Sequence, residues 1–212
     1  VQDQLGDTGG PADRSSRGHL VHSSLLMDAR SQMTVGLIDQ QWWTREVTRR
    51  GRKHERKRRP YEAKESYKWQ RTSENLEARL GSAMMNRVIE LADAEADIYE
   101  FLQYKRQHQQ RYVVHIGQDR GLSDHDERLW AHLARQPELG RMTIDLPQKG
   151  NRKARQVTVS LRATTMRLRP PQRCQGKLPV MTQSAVLAEE IDPPADAEPL
   201  RWRLYTSEPV AT

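Results

Sequence analysis

The hydrophobic pattern starts with two apolar, β-rich runs. Leu20-Val21-His22-Ser23-Ser24-Leu25-Leu26-Met27 and Met33-Thr34-Val35-Gly36-Leu37-Ile38 flank the polar break Asp28-Ala29-Arg30-Ser31-Gln32. Runs of this kind joined by a short polar break predict a hairpin, followed by the pair Trp42-Trp43. Residues 1–18, rich in Gly, Asp, Ser and Arg, read as loop. Glu62 to Leu80 contains no Gly or Pro and predicts a helix. Asn86-Arg87-Val88-Ile89-Glu90-Leu91-Ala92 reads as a buried strand ending at Asp93. Glu95 to Gln107 has helical spacing through Ala96, Tyr99, Leu102 and Tyr104, and Arg111 to Ile116 is a second strand. Strand, helix and strand in this order predict a parallel crossover unit. Asp126 to Arg135 reads as a short helix.

From Gly140 onward the period changes. Arg141–Leu146, Gln156–Arg162, Thr165–Arg169, Ala185–Glu190 and Leu200–Tyr205 alternate apolar and polar positions between Pro and Gly punctuation. That pattern predicts an antiparallel sheet, with a subdomain boundary near residue 140. The expected fold class is therefore α/β, with a β-rich antiparallel part toward the carboxyl end.

Composition narrows the class of partner. The chain has 212 residues with 35 Lys plus Arg against 28 Asp plus Glu, a net charge of +7. The sequence pI near 9.7 points to a polyanion such as nucleic acid. No run of eighteen apolar residues occurs, so no membrane span is expected, and the polar start Val1-Gln2-Asp3-Gln4 does not read as a signal peptide. Cys174 is the single cysteine, which leaves no partner for an internal disulfide. The expectation is a soluble, intracellular, polyanion-binding protein.

Three groups of residues carry candidate chemistry. Asp93 closes an apolar strand, where open α/β sheets place their ligands and where a carboxylate can hold Mg²⁺ for phosphoryl transfer. The same residue also fits a helix N-cap, with Glu95 in the first turn. Residues 49–59 are almost wholly cationic and include Arg52 and Lys53. Such a run supplies salt-sensitive, sequence-independent affinity for phosphate, or is simply a solvated loop. Arg17, Lys149, Arg152, Lys153, Arg155, Arg162, Arg167 and Arg169 extend this to an expected basic face. Trp202 stands between Arg201 and Arg203, as a core ring or as a stacking platform for an unpaired base beside phosphate-binding guanidiniums. His125 and His132 show no carboxylate or thiol partner at metal spacing, so no zinc site is expected.

Several blocks, in order, resemble one family. They are Val21-His22-Ser23, Val35-Gly36-Leu37-Ile38, Gln41-Trp42-Trp43, Lys64-Glu65-Ser66-Tyr67-Lys68-Trp69, Val88-Ile89 through Asp93-Ala94-Glu95-Ala96-Asp97-Ile98, Arg111-Tyr112-Val113-Val114, Gln136-Pro137-Glu138-Leu139-Gly140, Pro147-Gln148-Lys149-Gly150, Ala185 to Ile191 and Thr206-Ser207-Glu208-Pro209-Val210. Across residues 16 to 210 the chain resembles the insertion-sequence-four family of DDE transposases. The resemblance implies an RNase-H-like mixed sheet with flanking helices, interrupted by a β-rich antiparallel insertion. It implies a partial core over 1–139, the insertion over 140–205 and a return toward the core over 206–212. It makes Asp93 a metal-bridging carboxylate for Mg²⁺, with Mn²⁺ as a substitute, and Trp202 the residue that stacks a flipped base. Lys149, Arg52, Lys53, Arg201, Arg203 and His115 become expected DNA contacts. The implied reaction is cleavage of double-stranded DNA at transposon ends followed by strand transfer, carried out in the family by a homodimer.

The chain departs from that pattern. Its first catalytic aspartate has only Asp3 as a counterpart, without the full strand and Thr-Thr-x-Leu-Asp context the family shows. No stretch fits the Tyr-x-x-Arg-x-x-x-Glu-x-x-x-x-x-x-Lys helix that carries the third carboxylate. His115 stands where the family has an arginine. The expectation is a transposase fragment that does not cut DNA alone. Its alternatives are a non-catalytic DNA-binding remnant and an unrelated RNA-binding protein.

Overall fold

The computed structural model describes residues 6–7, 17–45, 59–148, 150, 153–195 and 197–210. Asp3, Arg52, Lys53, Lys149 and Arg152 lie outside the described residues, as does the basic run up to residue 58. The chain forms two compact units, Val1–Ala83 and Met84–Thr212. No helix among the described residues is long and apolar enough to cross a membrane.

In the first unit, β1 (Gly6–Asp7) pairs antiparallel with β2 (Arg17–Gly18). The predicted hairpin is present as β3 (Leu20–Met27) and β4 (Thr34–Trp43), with Val21 opposite Trp42 and Leu25 opposite Leu37. Its turn closes on Asp28. The Asp28 carboxylate accepts from the Ser31 amide and hydroxyl, both at 2.7 Å, and Gln32 takes the left-handed conformation at φ 58°. The hairpin's inner face carries the buried Asp39, which accepts from Asn75 at 3.1 Å and pairs with Arg79 at 3.0 Å. Both partners belong to helix α1 (Lys68–Leu80), shorter than the predicted helix because Tyr61–Ala63 and Glu65–Tyr67 wind as 3₁₀ turns.

The second unit is built on a six-stranded mixed sheet. Its strands are β5 (Ile89–Ala92), β6 (Arg111–His115), β7 (Gly140–Leu146), β8 (Arg155–Leu168), β9 (Met181–Glu190) and β10 (Arg201–Thr206), in the spatial order β5-β6-β10-β9-β8-β7. Only β5 and β6 run parallel, with helix α2 (Tyr99–Gln107) as their crossover; every other pairing is antiparallel. Residue 140 begins a strand of this same sheet, and the chain divides into its two compact units between Ala83 and Met84. The runs predicted over 156–162 and 165–169 are a single 14-residue strand, because the pairing with β9 runs unbroken through Ala163 and Thr164 while the apolar positions change face there.

Pairing register defines two sheet faces. One carries Tyr112, Val114, Tyr205, Ala185, Leu187 and Leu168, all buried. α2 lies on the β5 end of this face, where buried Lys105 donates to Glu90 at 2.8 Å. Helix α3 (Leu129–Ala134) packs on β8 and β9. The opposite face is filled near β7 and β8 by Leu146, Val157, Val159, Ala188 and Leu200. Toward β5 it opens to solvent. Leu91 is 74% exposed, so β5 is an edge strand with one half-buried face and is not the buried strand its sequence predicts. An unbroken apolar run fits either kind of strand, and only the neighbours decide.

Glu190 ties the far end of this sheet. Its carboxylate, in a residue 8% exposed, receives both terminal nitrogens of Arg155 and the Leu200 amide at 2.8 Å. The hydrogen bond from Arg155 is the main cause holding the Glu190 carboxyl below its ordinary value of 4.5. A carboxyl depressed by folding contributes stability that is present above the unfolded value and is lost as pH falls through the depressed value. Urea unfolding followed against pH is therefore expected to steepen below pH 4.5, and Glu190→Gln should flatten that part of the curve.

Candidate active site

The sheet's carboxyl-end rim collects three of the predicted site residues. Asp93 directly follows β5, and His115 ends β6. β10 runs antiparallel to β6 with Leu204 opposite His115, so Trp202, two residues earlier, falls past the end of β6 on the same face as His115. The Ile116 amide donates to the Arg203 carbonyl at 2.7 Å and carries this pairing to the rim. Trp202 is 38% exposed, a surface ring rather than a core one.

Asp93 is exposed and caps the 3₁₀ turn Ala94–Ala96, its Oδ1 accepting from the Glu95 amide at 2.9 Å. The local sequence therefore does what its bland reading predicts, and it does so at a solvent-reachable sheet rim. The rim is held from below by Asp97, whose side chain has no exposure. Asp97 accepts from the amides of Gly117 at 2.9 Å and Gln118 at 2.8 Å, and from Arg120 at 2.5 Å. Burial works against the Arg120 charge. The Asp97 carboxylate outweighs it with help from Tyr205, so the guanidinium stays above its ordinary value. Gly117 marks a close approach here. A Cβ at this position would stand 3.1 Å from both the Cβ and the carbonyl oxygen of Ala94, so the loops leaving β5 and β6 touch directly beside Asp93.

The arginines predicted to flank Trp202 do not share its face. Successive strand residues alternate, and Arg201 and Arg203 point with Tyr205 toward the helix-covered side. Arg201 pairs with Glu189 at 2.5 Å, and Arg203 lies 4.4 Å from the ring centroid of Trp130. Burial, followed by repulsion from Arg201, lowers the Arg203 pKa. Four arginines of the expected basic face also have partners within the fold. Arg155 binds Glu190, Arg162 is 3.7 Å from Glu189, Arg167 is 3.2 Å from Asp124, and Arg169 donates to the Leu122 carbonyl at 2.9 Å. These cations are committed to ties within the fold.

The structure also brings together a cluster that the sequence reading did not expect. His125, Glu127 and His132 place ligand atoms within 4.8 Å of one another, the only such group of three among the described residues. The missed signal was Glu127, two residues from His125 and five from His132, which a turn before α3 places next to both. No known protein-family model matches the chain.

Asp93 and Asp97 differ in what their removal does. Asp97→Ala leaves Arg120 buried without its counter-charge and should cost about 3–5 kcal/mol of stability. Asp93→Ala removes a cap and should cost about 1 kcal/mol. Amide hydrogen exchange at Gly117 and Gln118 separates the two, speeding sharply in Asp97→Ala and staying near wild type in Asp93→Ala.

Proposed function

We propose that this chain is part of a DDE-type DNA transposase of RNase-H-like lineage, with the Asp93 rim as its metal and scissile-phosphate site. The observation that carries the reading is an exposed carboxylate at the carboxyl end of the strand that opens a parallel strand–helix–strand unit. Open α/β sheets bind their ligands at that end. Asp93 fits Mg²⁺ chemically, since that ion takes oxygen ligands and commonly only one or two carboxylates beside phosphate and water. Two such ions stabilise the attacking and leaving oxygens of strand cleavage.

Within the chain's own residues, the division of work is simple. Asp93 supplies negative oxygen at the rim. Asp97, Gly117 and Arg120 fix the loops beneath it. Trp202 offers an exposed ring on the same rim, suited to stacking an unpaired base. The arginines at 201 and 203 support the strand and the α3 contact, and nonspecific phosphate affinity is left to other cations of this basic chain.

A single carboxylate does not fix two metals. Among the described residues no three-ligand group includes Asp93. This favours a chain that binds DNA without cutting it when isolated.

Three measurements test the reading. Mn²⁺ titrated into the DNA-bound chain should broaden amide signals of residues 92–95 and 115–117 first, and Asp93→Asn should abolish this. Broadening centred elsewhere would remove the site. Trp202→Ala should weaken binding to a duplex carrying one unpaired base by about 1–3 kcal/mol, with little change for a fully paired duplex. The isolated chain should leave a transposon-end duplex intact in Mg²⁺, and nicking by it would refute the incomplete site.

A further inference from the structure

We infer that His125, Glu127 and His132 form a second metal site, for a borderline divalent cation of the zinc type. The site sits on the surface of the second unit, where the loop before α3 meets the helix. It is independent of the reading given to Asp93.

The geometry is close to a ligand set. The rings of His125 and His132 lie with centroids 4.5 Å apart and planes tilted by 34°. The Glu127 Oε1 is 2.8 Å from His132 Nδ1. Ligand atoms from all three residues lie within 4.8 Å of one another. Bond lengths of about 2.0–2.1 Å in a tetrahedral shell put ligand atoms ~3.3 Å apart. Closing to that spacing needs a small rotation of the exposed His125 side chain. His132, with a side chain 12% exposed, and Glu127, at 22%, supply the fixed part.

The chemistry selects the ion. Two imidazoles and one carboxylate suit zinc and its neighbours, whereas Mg²⁺ takes oxygen ligands. Three protein ligands leave the fourth position to water. Arg135 pairs with the other oxygen of Glu127, which leaves Oε1 as the single donor and moderates its charge. Gln136 donates to the His132 carbonyl at 2.9 Å, which holds its side chain against the last turn of the helix. Binding would fasten residues 125–127 to α3, and so brace the helix that carries Trp130 beneath Arg203.

The test uses the whole chain, stripped with chelator, and Zn²⁺ measured by calorimetry. Wild type should bind one Zn²⁺ per chain at this site. His125→Ala, which removes an exposed side chain, and His132→Ala should each weaken that binding at least tenfold, and Glu127→Gln should weaken it less. His108→Ala, altering a histidine stacked on Tyr104, should leave it unchanged. Co²⁺ should give tetrahedral visible absorption in wild type that disappears in His125→Ala. Unchanged Zn²⁺ affinity in His125→Ala, or an equal loss in His108→Ala, would overturn the assignment. So would octahedral Co²⁺ absorption alone. Retention of the Mn²⁺ effect at Asp93 in His125→Ala separates this site from the rim.

Discussion

The second unit depends on one buried charge pair. Asp97 and Arg120 sit with side chains 0% and 5% exposed, and neither could be there without the other. Asp97 ends the short turn that follows Asp93, and Arg120 lies in the loop that follows β6. The pair joins the two segments that leave the parallel strands at their carboxyl ends. Two backbone amides, of Gly117 and Gln118, spend their hydrogen bonds on the same carboxylate. The result is a rigid floor beneath an open rim. Asp93 can remain exposed because its neighbour four residues on does the structural work.

That division explains why two aspartates of the same type behave so differently. Residue identity says nothing about which one turns inward. The turn Ala94–Ala96 decides it, since it carries the chain from the exposed strand end to the buried start of α2, where Ile98, Tyr99, Phe101 and Leu102 pack. Tyr99 lies under the sheet, its hydroxyl donating to the Leu168 and Pro179 carbonyls, and burial pushes that hydroxyl up to about 12. It stays neutral and acts as a hydrogen-bond donor.

Much of the fold was legible in the sequence because it rests on local periodicity. The hairpin of Leu20–Met27 with Thr34–Trp43, the parallel pair Ile89–Ala92 and Arg111–His115, and the antiparallel strands after Gly140 all follow from short-range pattern and turn chemistry. The less legible features are nonlocal. That β10 pairs with β6 on one side and β9 on the other joins residues some ninety positions apart, and no pattern in either strand announces it. The exposure of Leu91 follows from β5 lying at the edge of the sheet, again a matter of neighbours. Of the predicted site, Asp93, His115 and Trp202 share the rim. Arg201 and Arg203 were read as flanking Trp202, which holds along the chain but not across a pleated strand.

The arginines carry the more general lesson. A net charge of +7 invites a nucleic-acid reading, yet nearly every guanidinium of the second unit described above has a carboxylate, carbonyl or ring as its partner. Arg is suited to such ties by its planar fork and permanent charge. A guanidinium held by Glu189 or Glu190 can reach a phosphate only by giving up that partner, so its net gain on binding is small. Formal charge is thus a poor guide to where a polyanion would lie on this surface. Asp93 is held differently, by the Glu95 amide at 2.9 Å, and stays exposed at the rim. An exposed carboxylate at that position is accounted for by its cap on the turn Ala94–Ala96, and the proposed binding of a divalent cation would be a second use of the same oxygens.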